Sequence, residues 1–69
     1  MNSIRISACV RRFRRDHSMS QTSFGELFGV SAQAVSKWER ELSCPDITLL
    51  PEIAKVLGVS IAYLLGAEG

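Results

Sequence analysis

The triplet Gly-Val-Ser occurs twice in this chain, at 29–31 and 58–60, and each copy packs a helix stop and a helix start into three residues. A glycine just past a helix end takes the left-handed C′ conformation without a Cβ penalty. The serine that follows two positions later offers an N-cap oxygen to an orphan backbone N–H. The intervening valine stands at N′, spaced to pack on an apolar residue at N4: Val30 with Val35, and Val59 with Leu64. Ser20 repeats the start signal alone, with Met19 and Phe24 as its staple. The consequence is a series of short helices joined by tight corners.

Between these marks the apolar residues keep helical spacing. Ile6, Cys9, Val10 and Phe13 form one face of a first helix from about Ile4 to Asp16. Phe24, Leu27 and Phe28 mark a second at about 21–28, and Val35 and Trp38 a third at about 32–40. Leu50, Ile53, Ala54 and Leu57 give a fourth, starting between Thr48 and Leu50 with Pro51 in its first turn. Ile61, Leu64 and Leu65 give a fifth. No run alternates with period two long enough for a strand, so the fold class is all-α. At 69 residues the chain is a single domain, 1–69, with no room for a cofactor domain beside a catalytic one.

Several function classes fall away. The most apolar stretch, Ile53 to Ala67, is too short to span a bilayer and is broken by Lys55, Gly58 and Ser60. The N-terminal cluster Arg11-Arg12-Phe13-Arg14-Arg15 precedes no apolar signal region. Cys9 and Cys44 with the single His17 give no paired zinc spacing, and two reduced thiols suit a cytoplasmic protein without metal or cofactor. No nucleophile has a histidine base beside it and no glycine-rich phosphate loop exists, so an enzyme is not expected. Residues 1–17 carry a net +4 and residues 18–69 a net −3. Any contact with nucleic acid must therefore come from a local patch rather than bulk charge.

The corner at Gly29 is the informative one. Two short helices with a three- or four-residue glycine-containing turn make a helix-turn-helix, whose second helix enters the DNA major groove. An ordinary helical hairpin has the same outline, but the third helix has an unusual outer face. Gln33, Ser36, Lys37 and Arg40 lie at i, i+3, i+4 and i+7, opposite Val35 and Trp38. A merely solvated face usually mixes Glu with Lys, and this one has no acid. Gln suits adenine N6 and N7, Lys suits guanine O6 and N7, and Ser accepts several partners.

The residues also resemble a family. Ser20-Gln21, Phe28-Gly29-Val30-Ser31, Val35-Ser36-Lys37-Trp38-Glu39-Arg40, Pro45-Asp46, Leu49-Leu50-Pro51-Glu52-Ile53-Ala54 and Leu57-Gly58-Val59-Ser60 fall in the order and spacing of the Cro/repressor type of helix-turn-helix domain, the XRE family. The resemblance runs from about Ile6 to Leu65. It implies a compact five-helix, lambda-repressor-like domain that binds double-stranded operator DNA, commonly as a homodimer, to regulate transcription, most often as a repressor. It further implies a backbone contact from Gln21. Ala32, Gln33, Ser36 and Lys37 match base-reading positions, Ser31 just before them is a further DNA-binding candidate, and Arg40 and the loop around Ser43 match positions near phosphates. Arg14 and Glu39 match a pair that bridges the first and third helices in relatives. Relatives often carry glycine where Ser18 ends the first helix and where Glu41 follows the third, so strain is expected at Ser18 and an acid near the phosphates at Glu41.

The remaining candidates have plainer readings. Arg14 is expected in an ion pair, and Arg11, Arg12 and Arg15 mainly as solvated charge. Trp38 is expected in the core, and His17 at a helix C-terminus, where it complements the dipole. Of two other functions, a protein-interaction module is favoured by the acidic balance of residues 18–69 and disfavoured by the acid-free third helix. Non-specific DNA packaging would need far more Lys and Arg. The apolar end of the fifth helix, Ile61, Tyr63, Leu64 and Leu65, exceeds what so short a helix can bury. Part of it is expected to pair two copies on DNA, the free protein being monomeric.

Overall fold

Serine oxygens set three of the helix starts. The structure is a computed structural model that describes residues 5–66. It contains five helices: α1 (Ile6–Asp16), α2 (Gln21–Glu26), α3 (Ala32–Glu39), α4 (Leu50–Leu57) and α5 (Ile61–Leu64). Ser20 Oγ accepts from the Ser23 N–H, Ser31 Oγ from Ala34 and Ser60 Oγ from Tyr63, each satisfying one of the N–H groups a helix start leaves orphaned. Pro51 occupies the first turn of α4, where its missing N–H costs nothing. The expected start of α1 at Ile4 lies outside the described residues. Arg5 caps α1, and its N–H reaches the Leu64 carbonyl at 2.8 Å, tying the start of α1 to α5.

The helix ends share one device. Each of α1 to α4 stops at a residue of positive φ: Ser18 (52°), Gly29 (71°), Glu41 (61°) and Gly58 (74°). The next N–H then returns five residues: Met19 to Arg14, Val30 to Gly25, Leu42 to Lys37 and Val59 to Ala54. This is the six-to-one closure that satisfies terminal carbonyls. Glycine adopts the conformation freely, whereas Ser18 and Glu41 hold it at a cost of about 1–2 kcal/mol each. The closure also shortens α2, which ends at Glu26 rather than at the expected residue 28. Leu27 and Phe28 donate to Phe24 and Gly25, three residues back, so the last turn is tighter than α-helical. Likewise α3 ends at Glu39, and Arg40 is its cap.

All five helices contribute to one core: Ile6 and Val10 from α1, Phe24 from α2, Val35 and Trp38 from α3, Leu50, Ile53 and Ala54 from α4, and Leu64 from α5. The staple residues Met19, Val30 and Val59 pack against its edge. Phe13, Phe24 and Phe28 meet edge to face, at 5.8 and 5.1 Å between centroids. With Trp38 inside, the opposite side of α3 is left to solvent. Among the described residues no strand occurs and no helix is long and apolar enough to cross a membrane.

Candidate nucleic-acid interface

The angle between α2 and α3 is set by a close backbone approach. Gly25, in the last turn of α2, is buried and accepts at its carbonyl from Val30 N–H at 3.0 Å. A Cβ built there would stand 2.5 Å from the Val30 carbonyl oxygen, well inside contact distance. Only glycine lets the chain fold back so tightly at this point, and nothing in the local sequence marks it, because Gly25 sits within a helical run.

From that corner α3 projects with two unlike sides. Val35, Trp38 and Glu39 are buried, whereas Gln33, Lys37 and Arg40 are exposed and Ala32 and Ser36 half-buried. Ser31 is exposed, and its oxygen accepts the Ala34 N–H at 3.2 Å; its hydroxyl proton remains free to donate. Among the described residues, Gln33, Lys37 and Arg40 have no side-chain hydrogen bond or ion pair. The outer face thus presents an amide, an ammonium and a guanidinium in one row, with every donor unspent. Ser43 lies exposed in the loop after α3, and Glu41 Oε2 accepts from Ser7 Oγ at 3.5 Å.

The one acid of α3 is turned inward. Arg14 Nε and Nη2 donate to Glu39 Oε2 and Oε1, the second at 2.8 Å, a bidentate geometry that suits guanidinium and carboxylate. Their side chains are 22% and 6% exposed. Arg14 Nη1 also donates to the Met19 carbonyl at 2.9 Å, so the pair joins α1, the loop before α2, and α3. Burial alone would raise the Glu39 carboxyl. Hydrogen bonds from Arg14 and Gln21, with the charges of Arg14 and Arg11, outweigh it and hold the carboxyl below the usual carboxylate range. The hydrogen bond with Glu39 correspondingly raises Arg14.

Gln21 is placed differently from a free backbone-contacting side chain. It opens α2, half-buried, and its Nε2 donates to Glu39 Oε1 at 3.2 Å. The other arginines of α1 are solvated: Arg12 and Arg15 lie 3.9 and 4.0 Å from Asp16, with side chains 77% and 76% exposed. His17 caps α1 with Nδ1 at 2.9 Å from the Phe13 carbonyl, its ring stacked on Phe13. In α5 Leu64 is buried, while Ile61, Tyr63 and Leu65 stay exposed, and Tyr63 shares a surface groove with Val56 of α4 and with His17 at the end of α1. Arg5 stacks over Tyr63 at 4.6 Å.

Comparison with known proteins agrees with this geometry. The chain matches a family model described as helix-turn-helix over residues 10–64. A search of the curated proteins finds no match. Among solved structures, the chain is similar to the P22 c2 repressor protein, crystallised with synthetic operator 9T in the presence of Tl+. The two share 32% identity over 91% of this chain and 96% of that one, with a TM-score of 0.78.

Proposed function

We propose that this chain, which belongs to the helix-turn-helix family of the Cro/repressor (XRE) type, is a sequence-specific, repressor-type regulator that reads double-stranded operator DNA with α3 in the major groove. The observation that carries this reading is the outer face of α3: three exposed donor-bearing side chains without partners, and no acid. Gln33 and Lys37 read bases, with Ser36 and Ala32 beside them; Ala32 offers a methyl to thymine. Gln21, Ser31, Arg40 and Ser43 hold phosphates, which fixes register without carrying sequence information. The family and fold are those of regulators rather than enzymes, and a DNA target agrees with a cytoplasmic protein with reduced thiols.

One recognition helix covers only a few base pairs, too few to select a site among genomic competitors. We therefore take the working form on DNA to be a homodimer on an inverted repeat, assembled from free monomers. Recognition helices one helical turn apart are separated by about 34 Å. The exposed Val56, Ile61, Tyr63 and Leu65 offer the apolar contact. Selection of bound duplexes from a random library tests the whole reading. Enrichment of one palindromic motif is the expected result, and recovery without any enriched motif would refute it.

A further inference from the structure

Gln21 and Glu39 open α2 and close α3, and the carboxylate at the end of α3 holds the carboxamide at the start of α2. Glu39 Oε1 accepts from Gln21 Nε2 at 3.2 Å and from Arg14 Nη2 at 2.8 Å, while Oε2 accepts from Arg14 Nε. Arg14 alone neutralises the carboxylate, so the Gln21 bond adds nothing to charge balance. Its effect is to restrain a flexible side chain. A carboxamide has two N–H donors; one is spent on Glu39 and the second remains for a phosphate oxygen.

We infer that Glu39 is a positioning residue for DNA binding: it holds the Gln21 carboxamide ready to donate to the DNA backbone. The inference rests on the DNA-binding reading above. An unrestrained glutamine would lose its rotamer freedom on binding, whereas one already held loses little. The geometry also makes Arg14 indispensable to the arrangement, because an unpaired carboxylate beside Gln21 would repel the phosphate that Gln21 is meant to hold. Finally, it links the two halves of the motif. The backbone contact on α2 is referred to the same helix, α3, that carries Gln33 and Lys37.

A cycle of DNA affinities tests this, using the duplex that the wild-type protein selects. Arg14→Met/Glu39→Leu removes both charges together and strands neither. Gln21→Ala should weaken wild-type binding about three- to tenfold. In the Arg14→Met/Glu39→Leu background, affinity should already have fallen by a similar factor, and adding Gln21→Ala should change it less than about twofold. A purely structural role would leave the Gln21→Ala factor equal in both backgrounds, and that result overturns the inference. Urea melts establish that the background is folded. If it is not, the free wild-type protein decides: an ordered Gln21 side-chain amide by NMR supports positioning, and a freely rotating one refutes it. A wild-type protein that selects no duplex takes down both readings, whereas a selected site with equal factors takes down only this one.

Discussion

Replacing Gly25 by alanine should destabilise the domain and displace the recognition helix. In an ordinary helix interior the change is stabilising by up to about 1 kcal/mol, because alanine loses less backbone entropy. Here the new methyl would stand 2.5 Å from the Val30 carbonyl oxygen and 3.3 Å from the Val30 carbon and Ser31 oxygen. All three are backbone atoms, so no side chain can swing aside, and the α2–α3 turn must open. Overpacking of this kind costs about 1–3 kcal/mol. Less the propensity gain, the net loss is up to about 2 kcal/mol, or up to roughly 8–16 °C in Tm for a domain of this size. Thermal and urea melts of Gly25→Ala measure the stability, and DNA titration under fully folded conditions measures the displacement as a further loss of affinity. Gly29→Ala is the control. It strains a φ of +71° but meets nothing within 4 Å, so it should cost about 1 kcal/mol of stability and leave the affinity of the folded protein unchanged. A Gly25→Ala protein as stable as wild type, with normal affinity, would refute the close-approach argument.

Ser18 is exposed and holds a φ of 52°, so Ser18→Gly should stabilise the domain by about 1 kcal/mol in urea denaturation; no gain would mean the αL strain is relieved elsewhere. Because folding lowers the Glu39 carboxyl, its contribution to stability is complete above the ordinary glutamate range and is lost as pH falls through that range to the folded value. Stability between pH 7 and 3 should therefore fall more steeply in wild type than in Arg14→Met/Glu39→Leu. Glu39→Ala alone should cost about 3 kcal/mol by stranding Arg14, and adding Arg14→Ala should recover part of it; strictly additive losses would mean the charges do not interact. On DNA, 5 bp inserted between half-sites, about half a helical turn, should abolish cooperative binding by facing the second site away. Equal affinity and no cooperativity on both duplexes would rule out the paired arrangement.

Much of the fold is legible because its instructions are local. A glycine stop and the staple and serine cap that follow it lie within three residues, so Ser20, Ser31, Ser60, Gly29 and Gly58 announce three starts and two stops from the sequence alone. The stops at Ser18 and Glu41 are hidden, since neither residue favours positive φ. Only the resemblance, with its glycines at those two positions, points to them. Gly25 is hidden for the opposite reason: inside a helix a glycine reads as a weakness, and its purpose depends on where Val30 passes. The outer row of α3 follows from helical spacing, and so does the inward turn of Trp38. The hydrogen bond from Gln21 to Glu39 does not. It spans 18 residues and exists only once the α2–α3 angle is set. Helix ends drift by one or two residues because the closures of α2 and α3 tighten the last turn, which periodicity cannot see.

On the proposed function, Gln33 and Lys37 read bases while the rest of the motif positions them. This is tested most directly by repeating the random-duplex selection with Gln33→Ala and Lys37→Ala beside the wild type. Each variant should lose about 1–3 kcal/mol on the wild-type site and relax the selected motif at its own position, symmetrically in both half-sites. Gln21→Ala, run in parallel, should bind every sequence more weakly and keep the wild-type motif. An unchanged motif from both Gln33→Ala and Lys37→Ala would contradict the assignment of this face to base reading.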